Sequence, residues 1–207
     1  MQTQMKEDLM KPYDFFMRPL EAQSLSEMRK NLMNQASGSI LELGVGTGAN
    51  IPYYHQEMII SLVLSDFEEP EKIKKHTAEK VRKHVTIEDI AYKKVDAQNI
   101  PFKDESFDTV ISTLIFCSVS DVKKGLEEIK RVLKPNGKFL FIEHVISPNP
   151  SLASIMNGVS PLWEKVAHGC HLNRDFEKSL TENHFHITGK YYRGKNIFFG
   201  GLAQPLK

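Results

Sequence analysis

Ile40-Leu41-Glu42-Leu43-Gly44-Val45-Gly46-Thr47-Gly48 is the stretch whose reading decides the fold. Its first four positions, apolar apart from Glu42, predict a buried strand. Three alternating glycines then make a tight turn that no bulky side chain obstructs. Residues 50–54 are compatible with the start of a helix, with Pro52 tolerated in its opening turn. A strand, a glycine turn and a helix bring backbone N–H groups to a ligand at the strand's C-terminal end. Glu42 stands two residues before the first glycine. A pyrophosphate has no use for an acid there, whereas a ligand with a cationic amino-acid end does.

Outward from this run the chain alternates. Residues 59–64 are β-branched and apolar, a second strand that ends at Ser65-Asp66. Residues 68–84 are charged and helix-permissive, and residues 92–96 form a short third strand. Residues 107–112 make a fourth strand and residues 121–133 an amphipathic helix, which Lys134-Pro135-Asn136-Gly137 stops. Residues 138–146 are a fifth strand. This alternation predicts an α/β fold with a mostly parallel, doubly wound sheet. After residue 146 the pattern changes. Residues 152–166 and 175–182 read as helices, and residues 185–192 and 195–202 as two strands. Arg193-Gly194 would link these two strands, and so short a link forces an antiparallel hairpin. At the other end, residues 5–36 read as helical, broken near Pro19. Tyr13, Phe16, Met17 and Leu20 share one face, and Leu25, Met28 and Leu32 another. The chain thus divides into a helical cap over 1–36 and a ligand-binding unit over 37–207, together one structural domain.

Bulk composition narrows the function. The chain has 207 residues, 41% hydrophobic and 26% charged, with a net charge of +1. That suits one soluble α/β domain and gives no bulk attraction to nucleic acid or anionic membrane. The charged run over 72–83 mixes both signs with its neighbours and reads as a solvated helix face. Two cysteines, Cys117 and Cys170, make no disulfide framework and fit a reducing, cytoplasmic setting. The first ten residues lack the apolar segment of a signal peptide, and no stretch approaches the roughly eighteen apolar residues of a membrane span.

Small or acidic residues fall at the ends of successive strands, the edge where open α/β sheets bind ligands. Glu42 leads the glycine turn of Gly44, Val45, Gly46, Thr47 and Gly48, with Asn50 after it. Asp66 can accept two ribose hydroxyls, with Phe67 beside it. Asp96 can accept the amine of an adenine ring, for which Ala97 leaves room. Thr113 and Leu114 follow the fourth strand, where backbone groups can hold an amino-acid end. S-adenosylmethionine (SAM) has these parts and no phosphate. Gly44-x-Gly46-x-x-Ala49 also fits a loose dinucleotide pattern, so an NAD(P)-type oxidoreductase is the alternative. Glu42, Asp96 and the terminal hairpin weigh against it. There is no Gly-Lys-Ser or Gly-Lys-Thr of a phosphate loop.

The chain resembles the class I SAM-dependent methyltransferases over most of its length. Residues 41–48 match their first motif, Asp66 their ribose-binding acid and Asp96 their adenine-binding acid. Pro101-Phe102-Lys103-Asp104-Glu105-Ser106-Phe107-Asp108 resembles their approach to strand four. Arg131-Val132-Leu133-Lys134-Pro135-Asn136-Gly137-Lys138 is similar to their turn before strand five. Ser65 departs from the apolar residue usual before the ribose acid. The resemblance implies a Rossmann-like, seven-stranded sheet with a C-terminal antiparallel hairpin and an N-terminal helical cap. It also implies SAM as cofactor and S-adenosylhomocysteine as product. Tyr13-Asp14 with Met17, Pro19 and Leu20-Glu21, and Gly169-Cys170-His171-Leu172-Asn173-Arg174-Asp175, resemble a narrower bacterial branch. That branch includes phospholipid N-, quinone C- and thiol S-methyltransferase-like members, and implies a small or lipophilic acceptor without choosing its atom.

Methyl transfer from a sulfonium needs a base only if the acceptor loses a proton during attack. Three residues are candidates: His144 at the end of strand five, His171 in the late motif, and Tyr13 in the cap. Each also has a structural reading as a hydrogen-bonded or core group. His168-x-Cys170-His171 matches no common zinc spacing, so no metal is expected. Cys117 reads as a small buried hydrophobe. Phe15, Phe16, Met17 and Trp163 are candidate walls of an acceptor pocket, or simply core. A non-catalytic SAM-binding protein of the same fold stays open. So do the oligomeric state and a transient membrane-surface contact through residues 10–20 or 152–163.

Overall fold

A computed structural model describes residues 25–167 and 169–206. The cap residues before Leu25, with Tyr13, Phe15, Phe16 and Met17, therefore lie outside the described residues, as does His168. Five helices are described: α1 (Ser26–Met33), α2 (Pro70–His84), α3 (Val122–Val132), α4 (Pro150–Val166) and α5 (Phe176–Glu182). Seven strands form one sheet: β1 (Gly38–Leu43), β2 (Ile59–Asp66), β3 (Ile90–Lys94), β4 (Phe107–Thr113), β5 (Leu133–His144), β6 (Phe185–Arg193) and β7 (Phe198–Pro205).

The strand order is β3-β2-β1-β4-β5-β7-β6. β1 to β5 run parallel, and β7 lies antiparallel to both β5 and β6. The chain winds outward from β1 to β3 and then crosses to β4, so the switch in direction falls between β1 and β4. Ligands bind in the crevice at such a switch. The expected mixed sheet with its antiparallel end is what the chain forms.

Four expected details differ. β5 begins at Leu133 rather than residue 138 and ends at His144, so Lys134-Pro135-Asn136-Gly137 lies within the strand as an irregularity, with Leu133 paired to Phe107 and Lys138 to Thr109. Residues 50–54 do not open a crossover helix. Two short 3-10 turns, Ile51–Tyr53 and Gln56–Met58, make the crossing from β1 to β2. Tyr54 and His55 turn to extended backbone (ψ 134° and 91°), which ends the first turn at Tyr53. β3 begins at Ile90, two residues early, because it pairs from Leu62 of β2. The link from β6 to β7 spans residues 194–197 rather than two residues. Gly194, Lys195 and Asn196 all take positive φ (59°, 59° and 63°), and this left-handed run pushes β7 three residues downstream.

Alternation along the central strands feeds two apolar layers. Leu41, Leu43, Val110, Phe139 and Phe141 pack with Leu126 and Ile129 of α3 and Phe176 and Leu180 of α5. Ile40, Leu62, Leu64, Ile111, Leu140 and Ile142 pack with Met28 and Leu32 of α1 and Ile73 of α2. Side-chain caps start three helices: Asp121 accepts from the Lys124 amide, Asn149 from Ser151 and Leu152, and Asp175 from Lys178.

Phe141 is fully buried, with ring centroids 5.0 Å from Phe199, 5.5 Å from Phe139 and 5.5 Å from Phe176. Phe141→Ala is expected to cost about 3–5 kcal/mol, lowering Tm by about 10 °C. Ile155→Ala, on the exposed face of α4, is expected to stay within about 0.5 kcal/mol of wild type. Thermal unfolding of both variants checks the assignment, and equal melting of the two would contradict it.

Candidate functional site

The glycine turn leaves β1 with Gly44, Gly46 and Gly48 all at positive φ. The three glycines meet different surroundings. A Cβ on Gly44 would collide with Ile115, and one on Gly48 with Ile51. A Cβ on Gly46 would meet nothing within 4 Å. Gly44 and Gly48 are therefore needed for packing, while Gly46 borders open space that a ligand can fill. The Val45 amide donates to the Ser65 carbonyl at 2.9 Å, and Lys80 reaches the Thr47 carbonyl at 2.8 Å.

Asp66 ends β2 and faces this turn. One carboxylate oxygen accepts from the Gly46 amide (2.9 Å) and the other from the Phe67 amide (2.7 Å). Phe67 is 70% exposed, a large apolar ring left beside the acid. Ser65, the departure from the family pattern, is fully buried and its hydroxyl donates to the Glu42 carbonyl at 2.7 Å. Asp96 lies just past β3, where its carboxylate accepts from the Gln98 amide (2.8 Å) and side chain (3.2 Å). Ala97 is buried beneath it. Gln98 in turn accepts from Ser120 and the Asp121 amide, which holds the loop before α3 against this corner.

Glu42 points to the α1 side of the sheet and is 1% exposed. Its carboxyl accepts from the Tyr54 hydroxyl and, at 2.7 Å, from Asn50. Asn50 also donates to Thr113, and the buried Arg29 donates to both Asn50 (2.6 Å) and Thr113 (3.1 Å). Burial pushes the Glu42 carboxyl up to about 7, against the pull of Tyr54, Asn50 and the Arg29 charge. Arg29 and Tyr54 are not among the residues that sequence reasoning selects. The signal for Arg29 is its place beside Leu25, Met28 and Leu32, which would set a cation into an otherwise apolar face.

A second buried acid stands on the opposite side of the sheet. Glu143 accepts from the Ser112 hydroxyl (2.8 Å) and from the Ile115 (3.3 Å) and Phe116 (3.0 Å) amides. It thereby fixes the loop after β4, whose first residue, Leu114, has φ of 59°. Arg174 donates to the Phe116 and Val119 carbonyls, and the His171 amide donates to the Cys117 carbonyl at 2.8 Å. The late motif thus clamps this loop. Burial raises the Glu143 carboxyl to about 7.

The base candidates separate. His144 ends β5 on the α1 side, its ring edge-on to Phe198 at 5.6 Å. Its Nδ1 is buried and makes no hydrogen bond among the described residues. Burial lowers its pKa to about 4, so the imidazole is neutral at physiological pH. His171 Nδ1 lies 3.8 Å from Glu164. Tyr13 lies outside the described residues. A cleft of about 400 Å³ past the end of β5 is lined by Val145, Asp175, Glu177 and Tyr192, and by none of the glycine-turn residues.

The two buried carboxyls make stability depend on pH. Their folded pKa values, about 7, lie above the ordinary carboxyl value of 4.5. Folding therefore takes up protons in between, and stability present below pH 4.5 is lost as pH rises through 7. His144 acts oppositely, between about 4 and 6.5, so its contribution is complete above pH 6.5. Glu143→Gln removes one of them. Followed by thermal unfolding from pH 5 to 8.5, wild type is expected to lose about 3 kcal/mol relative to the variant. A constant difference between the two proteins would mean that Glu143 is ionised throughout.

Residues 41–141 match the family model described as a methyltransferase domain, which runs from β1 through the loop after β4 into β5. A thiol S-methyltransferase of Rattus norvegicus is 33% identical over 187 residues, covering 84% of this chain and 75% of that protein. A phosphatidylethanolamine N-methyltransferase of Cereibacter sphaeroides is 26% identical over 129 residues, 59% of each chain. Among solved structures, a SAM-dependent methyltransferase from Aquifex aeolicus superposes with a TM-score of 0.62 at 22% identity, over 96% of this chain and 97% of that one. The open space at Gly46 and the acids at successive strand ends suit SAM, and with this likeness the chain belongs to the SAM-dependent methyltransferases.

Proposed function

We propose that this enzyme methylates a small thiol, with SAM held across the C-terminal edge of β1 to β4. Gly44, Val45, Gly46, Thr47 and Gly48 take the methionine end from below. Glu42, through Asn50 and Thr113, sets the charge there, and Leu114 closes the side. Asp66 takes the ribose hydroxyls and Phe67 lies against the purine. Asp96 accepts the exocyclic amine over Ala97.

When bound, SAM supplies a methyl group already activated on a sulfonium. The chain's own work is then orientation and exclusion of water. The observation that favours sulfur is the 33% identity to a thiol S-methyltransferase across 84% of this chain. The chemistry agrees. His144, lowered to about 4, is a weak base, and a thiol asks least of a base because it is acidic and intrinsically nucleophilic. A phospholipid amine is the second reading. It draws support from Ile155, Val159 and Leu162, which are exposed along one face of α4 and offer an apolar stripe to a lipid surface.

Calorimetric titration with SAM, followed by an acceptor screen, tests both parts. Gly46→Arg should fold and lose SAM affinity by at least about 100-fold, because it fills the open space. Asp66→Ala should lose about 10- to 100-fold, as expected for a charged hydrogen-bonding group. Unchanged SAM affinity in folded Gly46→Arg would refute the site. Small alkyl and aryl thiols should be S-methylated, with no turnover on amines or on phosphatidylethanolamine vesicles. Turnover on the vesicles alone would replace the thiol reading with the lipid one.

A further inference from the structure

The chain's two thiols meet in one buried cluster. Cys117 lies in the loop after β4, and Cys170 lies between α4 and α5, about fifty residues further on. The backbones touch at this point, since the His171 amide donates to the Cys117 carbonyl at 2.8 Å. Both cysteines are buried, packed with Ala167 against Trp163 and Leu172. Within that cluster the Cys117 sulfur lies 3.7 Å from the Leu114 carbonyl and 3.7 Å from the Ser118 hydroxyl. Arg174 braces the same loop from the Cys170 side through the Phe116 and Val119 carbonyls. Cys117 and Cys170 are thereby neighbours in one buried cluster, the proximity that a disulfide requires.

We propose that Cys117 and Cys170 form a redox modification site, which a peroxide closes to a disulfide and a dithiol reductant reopens. The bond ties the loop after β4 to the segment that follows α4. Cys170 is the attacking thiol. Its interactions with Cys117 and the Trp163 indole, helped by the nearby Arg174 charge, hold it below the usual thiol range, while Cys117 is pushed above it. The Cys170 thiolate attacks one peroxide oxygen, breaks the O–O bond and becomes a sulfenic acid, and the other oxygen leaves as water. The Cys117 sulfur then attacks the Cys170 sulfur, the S–O bond breaks, and the second oxygen leaves as water with the Cys117 proton. Two thiols are oxidised and one peroxide is reduced, with no other reactant.

Intact-mass and peptide mapping of the full chain after hydrogen peroxide, without reductant, tests this. The expected product has lost the mass of two hydrogen atoms, gained no oxygen, and carries one intramolecular Cys117–Cys170 link. Because the link closes a long loop, Tm should rise by at least about 5 °C and return after dithiothreitol. Cys170→Ser, or Cys117→Ser should the first variant fail to fold, should show neither the link nor the Tm rise. Unchanged thiols, accumulation of sulfinic acid, or links only between chains would each overturn the proposal.

Discussion

A carboxyl group on the innermost strand of a sheet has to bring donors with it, and Glu42 governs how the surrounding chain is arranged. Its donors come from the irregular segment after the glycine turn, Asn50 and Tyr54. Arg29 of α1 and Thr113 of β4 complete the cluster through Asn50. An acid buried without such partners would be strongly destabilising. With them, one polar cluster joins α1, β1, the β1–β2 crossing and β4 beside the glycine turn. Even so, burial outweighs the donors and holds the group near 7. It is therefore poised to ionise when a positive charge arrives nearby.

Glu143 plays a matching structural part on the other face. It gathers the Ser112 hydroxyl and two successive amides after β4, while Arg174 and the His171 amide hold the same loop from the far side. The loop is thus held by the end of β5 on one side and by the segment between α4 and α5 on the other. The glycine turn and this loop leave neighbouring strands at the point where the sheet changes direction, so the two buried acids shape the two walls of one crevice. Positioning of this kind is what a reaction with a pre-activated methyl donor requires of its protein.

Much of this architecture is legible in the order of residues alone. The glycine run, the acids in phase at strand ends and the loss of α/β alternation after residue 146 each follow from local pattern. What escapes has a common cause. Arg29 meets Asn50 and Thr113 across separations of 21 and 84 residues, so no local signal pairs them. The first crossover is read as helical because its residues permit a helix, yet extended backbone at Tyr54 and His55 leaves only two 3-10 turns. The last hairpin is misplaced because Lys195 and Asn196 adopt left-handed backbone, a cost that side chains other than glycine rarely accept and that only the antiparallel register repays. Conversely, Ser65, an oddity in the sequence, is explained once its hydroxyl is seen on the Glu42 carbonyl.

The most direct measurement is a crystal structure of the chain with S-adenosylhomocysteine. The account predicts the adenosyl group between Asp66 and Asp96, with Phe67 along the ring, and the amino-acid end over residues 44–48 beside Glu42 and Asn50. The ligand found instead in the cleft past β5, between Val145 and Tyr192, with the glycine turn unchanged, would contradict it.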